Sequence, residues 1–368
     1  VSAVRAPRPP ARARVWELLR ALPDSGKHVL RDVEQAGKRA LYRLGVTPPP
    51  LKVKAHLTDV CNFRCPTCLK GIDADPEREL TTGQWRAALD RLSGLPYLHD
   101  VTFSGGEALA RPDIDEIIGH AKHLRFHVTV ITNGWSVDAA ALARLRERGV
   151  DQLIVSLNSL RRQEHDDSRG RPGSYDHIMR LIDAWRDGPR RPRLCLEAVV
   201  TQQNCGELVA MAHFVRDNGL HGIVYQPLGP PESHYSFAPN QAMPSGDAAW
   251  WKTDPFWVRD LDTLRAQVAE LLRLRRRGWP ILCRAWHLKR FVRHFAEPER
   301  IAEIPCVGTL TSLYLDPFGD MRLCCGYGSI GNVLADDPRA AWRSRRAGEI
   351  RRASRTCPRP CRMLNCNL

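Results

Sequence analysis

The sequence predicts an α/β protein, a partial (β/α)6 TIM-like barrel followed by a small C-terminal α+β region. Three observations carry that expectation. Short apolar stretches at 51–58, 98–103, 127–131, 152–157, 194–200 and 222–226 alternate with longer amphipathic ones, the pattern of parallel strands joined by crossover helices. Six such units stop two short of a closed eight-fold barrel. After residue 300 the pattern changes to the alternating TLTSLYL, the turn DPFGD and flanking cysteines, which indicate a hairpin.

Residues 1–50 read as a basic tail and helices. Ser25 is a candidate N-cap, and Leu30, Val33, Gly37, Ala40, Leu41 and Leu44 fall at helical spacing, one apolar stripe expected to pack on the next domain. Three prolines at 48–50 end it. Residues 51–228 make the barrel, with TTGQWRAALDRL, RPDIDEIIGHAKHL and SYDHIMRLIDAW as its clearest crossover helices. Residues 229–300 are a link: an irregular stretch holding Tyr235, Phe237, Trp250, Trp251 and Trp257, then helices at 258–277 and 286–296. Loops that long tend to be functional, so these rings are expected either to stack on a sugar over the site or to pack the link. Residues 301–368 make the last domain.

With 368 residues and 43% hydrophobic side chains, the chain has globular composition and can bury sizeable cores. No apolar stretch follows the Arg- and Pro-rich start, and no run approaches the roughly 18 residues of a membrane span. A soluble, cytoplasmic protein is the expectation. The net charge of +14 is spread over nearly every predicted helix, densest at 1–45 and 339–355, with no aromatic residues between the basic runs. A solvated basic surface fits this better than a nucleic-acid footprint. Attraction for an anionic substrate stays open.

Barrel sites are built at the carboxyl ends of strands, and four polar motifs fall there in order. Cys61, Cys65 and Cys68 in CNFRCPTC follow the first strand, SGGE at 104–107 the second, TNG at 132–134 the third and SLNS at 156–159 the fourth. Twelve cysteines, mostly in tight groups in a chain without a secretory signal, indicate metal ligation rather than disulfides. Three thiolates hold only three irons of a four-iron cube, leaving one iron open to a non-protein ligand. A zinc knuckle would need a second C-x2-C pair or histidines, and no His follows at suitable spacing. Gly105 and Gly106 let the backbone approach a ligand, and Glu107 offers a carboxylate to an ammonium group. Cys195 and Glu197 share one face of the fifth strand by its two-residue period, and a carboxylate inside a barrel is costly unless paired, so Glu197 is a candidate catalytic residue.

CNFRCPTC resembles the C-x3-C-x2-C motif of the radical S-adenosylmethionine (radical SAM) enzymes, and the chain looks like a member. The resemblance implies a 4Fe–4S cluster on Cys61, Cys65 and Cys68, with S-adenosylmethionine chelated at the open iron. It implies reductive cleavage to a 5′-deoxyadenosyl radical that takes a hydrogen atom from the substrate, and an external electron donor of flavodoxin or ferredoxin type. It assigns Gly105, Gly106 and Glu107 to the methionyl amino group, Ser156 and Asn158 to ribose and carboxylate contacts, and Arg169 in HDDSRGRPGSYD to the methionyl carboxylate, and adds Asn133 to the cofactor site. One departure stands out. The residue before the third cysteine is usually aromatic in that family and is Thr67 here, which removes a packing contact near the adenine and leaves the iron ligands untouched.

The tail carries a second resemblance. Cys306, twelve residues, Gly319, four residues, Cys324, and then Cys357, Cys361 and Cys366 are similar to the auxiliary-cluster domain called SPASM in its two-cluster form and Twitch in its one-cluster form. The full form needs at least seven cysteines and six stand from Cys306 onward, so one auxiliary 4Fe–4S cluster is implied, on Cys306, Cys324 and two of Cys357, Cys361 and Cys366. Structural zinc is the alternative for four thiolates. Of the remaining thiols, Cys205, Cys283 and Cys325 are candidate hydrogen donors to a substrate radical, and a small buried hydrophobe is the alternative for each, as for Cys195. The expected substrate is a small polar, carbohydrate-like molecule, a sugar, aminocyclitol or related polyol of antibiotic or other natural-product biosynthesis. Epimerisation by a thiol or dehydrogenation through the auxiliary cluster would be the outcome. Maturation of a ribosomal peptide is the alternative, weighed down because residues 1–50 look too short and too helical for a winged-helix leader-binding domain. A zinc-stabilised nucleic-acid-binding protein comes third and leaves the SGGE turn and the strand-end order unexplained.

Overall fold

The structure is a computed structural model. It describes residues 46–71, 74–230, 249–303, 306, 308–357 and 361, together with Gly37 and Ala40. The chain divides into two units, Val1–Pro48 and Pro49–Leu368. In the first, Gly37 and Ala40 are helical and exposed, off the apolar face expected for them; Ser25, Leu30, Val33, Leu41 and Leu44 lie outside the described residues.

In the second unit six parallel strands succeed one another: β1 (Lys52–Thr58), β2 (Asp100–Gly105), β3 (His127–Thr132), β4 (Gln152–Ser156), β5 (Arg193–Val200) and β6 (Gly222–Pro227). Between them run α1 (Thr82–Ser93), α2 (Ile114–His123), α3 (Ala139–Glu147), α4 (Arg162–Arg169), α5 (Ser174–Asp187) and α6 (Leu208–Asp217). The helices start where local chemistry lets them. Thr81 and Gln84 form a reciprocal capping box before α1, and Asp138 accepts from the Ala141 amide before α3. Each then buries one stripe, as Ile114, Ile117, Ile118 and Ala121 do on α2.

The strands alternate cleanly. Val53, Ala55, Leu57, Val101, Phe103, Val128, Val130, Leu153, Val155, Leu194 and Leu196 are shut in under the helices, while the intervening side chains are mostly half-buried on the other, concave face. The barrel stays open, with β6 at one edge of the sheet.

The hairpin expected after residue 300 joins the other edge of the same sheet. β7 (Ser312–Leu315) pairs parallel with β1, and β8 (Asp320–Arg322) and β9 (Gly331–Asn332) follow antiparallel, so one sheet runs β6-β5-β4-β3-β2-β1-β7-β8-β9. Without β7 the β1 edge would present unpaired backbone groups, and the alternation of SLYL puts Leu313 and Leu315 into the common core. Arg322, Asp316 and Asp320, all buried, tie the hairpin: Arg322 Nε donates to Asp316 Oδ2 at 2.9 Å.

In the link, the described rings follow the packing alternative. Trp250, Trp251 and Trp257 are buried and pack edge-on or tilted against one another and against His294 and Phe295. They are core, so they are no platform for a sugar; Tyr235 and Phe237 lie outside the described residues. The helix expected at 258–277 is α7 (Leu261–Arg276), and the one at 286–296 is broken into α8 (Ala285–Leu288) and α9 (Phe291–Ala296). Among the described residues no helix is long and apolar enough to cross a membrane.

Candidate functional site

Cys61, Cys65 and Cys68, all half-buried, sit on the loop that leaves β1. Backbone amides face two of the sulfurs: Phe63 N donates to Cys61 Sγ at 3.5 Å and Lys70 N to Cys68 Sγ at 3.4 Å. The third, Cys65 Sγ, donates to the Arg169 carbonyl at 3.4 Å. Burial pushes the Cys61 thiol up to about 11 and the Cys68 thiol in the same direction, with the Cys65 charge adding and Arg169 opposing. Such thiols keep their protons until a metal displaces them.

A buried ionic brace holds the base of this loop. Lys70 pairs with Asp59, and Glu79 accepts from Thr58 Oγ1 at 3.0 Å and the Asp59 amide at 2.7 Å. Burial raises the Glu79 carboxyl above its ordinary range. Arg111 reaches from the β2 side to the Leu57 carbonyl at 2.9 Å and to Glu79 at 3.6 Å. Sequence reasoning missed all four charged residues; the only signal was their nearness to the cysteine motif or to a strand end.

The SGGE turn meets the same loop backbone to backbone. Gly106 N donates to Thr58 O at 2.7 Å and Glu107 N to Val60 O at 2.9 Å. A Cβ on Gly105, whose φ is +137°, would stand 2.2 Å from Thr58 O, and one on Gly106 would stand 2.2 Å from Val60 O. The close approach these glycines permit is therefore to the cysteine loop itself. Glu107 is fully enclosed: its carboxylate accepts from Thr132 Oγ1 at 2.8 Å, Asn133 N at 2.7 Å and Leu109 N at 3.1 Å. Burial raises its carboxyl, and three donors oppose that. Each carboxylate oxygen takes two donors, so Oε2 has capacity for one more.

Asn133 Nδ2 donates to Asn62 Oδ1 at 2.7 Å, which couples the TNG turn to the cysteine loop. Ser156 is half-buried on the concave face, beside Glu197 by register. The Asn158 side chain is held by protein, Oδ1 accepting from Val199 N at 3.0 Å and Nδ2 donating to Ser168 Oγ at 3.1 Å, with capacity for one further bond at each atom. His165 Nδ1 accepts from Asn158 N at 3.2 Å, and burial followed by the Arg169 charge pushes this histidine down to about 3.

Arg169 ends α4 with Gly170 in the left-handed conformation, where a Cβ would stand 2.1 Å from Arg64 O. The segment is pressed onto the cysteine loop. The guanidinium lies 5.7 Å from the Phe63 ring centroid, its charge reaches Cys61, Cys68 and Glu107, and its Nε is buried with no hydrogen-bond partner. A buried, unsatisfied cationic donor beside three thiols is what an anionic cluster and a ligand carboxylate would require. Among the described residues no group of three or more His, Cys, Asp or Glu side chains closes around a single metal ion; a four-iron cube is wider than that.

Of the tail cysteines, Cys306, Cys324, Cys325, Cys357 and Cys361 are half-buried and Cys366 lies outside the described residues. A hydrogen bond with Cys325, burial and the Cys357 charge all push the Cys324 thiol upward, which places these three near one another. Cys283 is locked into backbone bonds with Tyr225, accepting at 3.1 Å and donating at 3.3 Å, and burial pushes its thiol up to about 12. Cys205 is buried and reaches Gln202 O at 3.6 Å. Cys195, also buried, accepts from Gln152 Nε2 at 3.5 Å.

Against known families, residues 56–215 match the Radical SAM superfamily. Over those residues the chain resembles a radical SAM domain. Domains of this family use a 4Fe–4S cluster and S-adenosylmethionine. The chain is 31% identical over 164 residues to PqqA peptide cyclase of Rhizobium meliloti (strain 1021), covering 44% of this chain and 43% of that protein. It is 29% identical over 181 residues to AdoMet-dependent heme synthase of Methanosarcina barkeri, covering 48% and 50%. The chain thus spans about half the length of the curated relatives it matches. In fold it is similar to Streptococcus suis SuiB bound to precursor peptide SuiA, with a TM-score of 0.61 and 15% identity over 95% of this chain and 74% of that one. It is also similar to native anSMEcpe with bound AdoMet and Cp18Cys peptide, with a TM-score of 0.61 and 12% identity over 86% of each.

Proposed function

We propose that the chain is a radical SAM enzyme that modifies a peptide. One observation carries the site: Cys61, Cys65 and Cys68 share a single loop, clamped by the SGGE backbone and faced by the unsatisfied Arg169 Nε. The three thiols are its cluster ligands, Arg169 and the spare Glu107 Oε2 position hold the carboxylate and amino ends of S-adenosylmethionine, and Ser156 with Gly105 and Gly106 shapes the rest. When bound, the cluster and S-adenosylmethionine supply a radical able to take a hydrogen atom from carbon. The protein's part is to orient and to exclude water. Asn133 and Asn158 act through the loops they hold.

Peptide rather than sugar rests on the relatives named peptide cyclases and on a structural neighbour solved with a precursor peptide. The sugar reading loses its aromatic platform, because Trp250, Trp251 and Trp257 are core. Cys283 and Cys205 are buried against backbone carbonyls, which weakens the case for hydrogen return from either. Cys306, Cys324 and two of Cys357, Cys361 and Cys366 are proposed to hold one auxiliary cluster, with Cys325 beside Cys324. Barrel (51–228), link (229–300) and cluster region (301–368) are kept as the domain division, and a reducing partner of flavodoxin or ferredoxin type is expected.

The test is anaerobic reconstitution followed by incubation with reductant, S-adenosylmethionine and candidate precursor peptides. Release of 5′-deoxyadenosine coupled to a mass change in a peptide supports the reading. Coupling to a polyol alone, with every peptide unchanged, would overturn it.

A further inference from the structure

The concave face carries a row of side chains that the proposed cofactor site leaves unused. Register sets Tyr314 on β7, Lys54 on β1, Thr102 on β2, Thr129 on β3, Gln152 on β4 and Arg193 on β5 side by side. All six are half-buried, whereas their neighbours in sequence on the opposite face are mostly shut in by helices. Lys54 lies four residues before the end of β1 at Thr58, roughly 13 Å below the rim at about 3.3 Å per residue. Gln152 and Arg193 open β4 and β5, so the row forms the deep floor of the concave face below the rim.

Lys54 is the unusual member. Its ammonium stands 5.6 Å from the centroid of the Tyr314 ring, and among the described residues no carboxylate lies within ion-pair distance of it. The acid nearest by register, Asp100 in the row beneath, is engaged by His99 and His127, each at 3.1 Å. Glu197 lies nearer the rim, on β5 beside Ser156. A half-buried ammonium matched only by a ring face has lost water without gaining a counter-charge. The chain draws most of its positive charge from arginine, and lysine in this row supplies a compact charge on a flexible stem that can follow a moving carboxylate.

We propose that this row is the floor on which the peptide lies, and that Lys54 is its specificity-determining residue, receiving the carboxylate of an acidic side chain. The inference rests on the peptide reading above. Thr102, Thr129 and Gln152 offer hydroxyl and amide groups to an extended backbone, and Arg193 places a second cation at the far end of the row.

Reductive ¹³C-methylation of the reconstituted full chain labels every lysine while keeping its charge, and Lys54→Met identifies the Lys54 resonance by its loss. A capped pentapeptide with glutamate at its second and fourth positions should shift that resonance to saturation. Its glutamine counterpart should need at least tenfold more peptide. By fluorescence anisotropy Lys54→Met should lose the preference for glutamate and Lys54→Arg should keep it, with iron content equal in all three proteins as the check on folding. Equal responses to the two peptides, or a Lys54 signal unmoved by either, would overturn the proposal. Because the titration needs no turnover, it stands even where 5′-deoxyadenosine release fails, and that failure would count against the proposed function alone.

Discussion

The two cysteine-bearing regions are built on different principles. The first draws its three thiols from one loop of the chain, and its neighbours reach it through backbone atoms: Gly105, Gly106 and Gly170 each touch a loop carbonyl at a distance no Cβ could share. The second draws its thiols from separate places, before α10 (Gly308–Thr311), after β8 and after α11 (Arg345–Arg355), and is tied by side chains, chiefly the buried Arg322 between Asp316 and Asp320. A site on one loop can be fixed by shape. A site spread over several elements depends on the fold bringing them together first.

The sharpest way to break the comparison is to add a methyl group. Gly106→Ala would drive a Cβ into Val60 O, with Asp59 O also only 2.6 Å away. Backbone cannot swing aside as a side chain can, so a loss of more than about 4 kcal/mol in stability is expected, with no iron retained. Gly119→Ala is the matched control, since that helical glycine has nothing within 4 Å; it should gain about 0.5–1 kcal/mol. Denaturant melts of both variants decide the matter, and equal midpoints would show that the turn is not the clamp.

A second contrast separates the two regions by function. Cys65→Ser should lower 5′-deoxyadenosine release by at least about a thousandfold, equivalent to about 4 kcal/mol, while iron falls from about eight to about four per chain. Cys324→Ser should cost a similar amount of iron and leave cleavage of S-adenosylmethionine largely in place, since the Cys61, Cys65 and Cys68 loop draws no group from β8. If both variants lose cleavage alike, the regions act as one site.

How much of this was legible in the sequence follows from the same difference. The strands show because burial alternates residue by residue: β1, β2 and β3 begin or end within two residues of the stretches their apolar pattern marks. The CNFRCPTC loop and its flanking turns show because their residues are contiguous. Hidden from sequence were Glu79 and Arg111, which meet Thr58 and Leu57 across 21 and 54 positions, and the pairing of β7 with β1, a contact between residues some 260 positions apart. The aromatic link left two readings open because Trp250 and Trp257 look the same in a sequence whether they face a ligand or each other.

Acid should separate the regions in opposite senses. His165, buried behind the first loop and pushed down to about 3, stays neutral in the fold and takes a proton when unfolded, so its contribution is full above about 6.5 and falls as pH drops. Asp316, in the hairpin, is pushed up to about 6 by burial, against the pull of Arg322, so its contribution is full below about 4 and falls as pH rises toward 6. Between pH 7 and pH 5 the first region should weaken by roughly 2 kcal/mol and the second should strengthen by about 1 kcal/mol. Hydrogen exchange, corrected for intrinsic rates, over peptides spanning 158–177 and 312–333 would check the opposed signs; parallel changes would remove the distinction.

The smallest expected effect tests what faces the first loop. Arg169 holds its place through its own backbone, with its carbonyl taken by Cys65 and Gly170 against Arg64, so Arg169→Met can remove the charge while the loop contacts persist. Without that charge the methionyl carboxylate loses its partner, and calorimetric affinity for S-adenosylmethionine should fall about tenfold, or about 1.4 kcal/mol. The Cys61 and Cys68 thiols should also become somewhat harder to ionise, because the Arg169 charge adds to the Phe63 and Lys70 amides in opposing their burial. Arg169→Lys restores a charge but not the planar fork, and should recover thiol reactivity more fully than it recovers affinity. If it recovers both equally, the guanidinium acts on the loop as a point charge and does not grip the ligand.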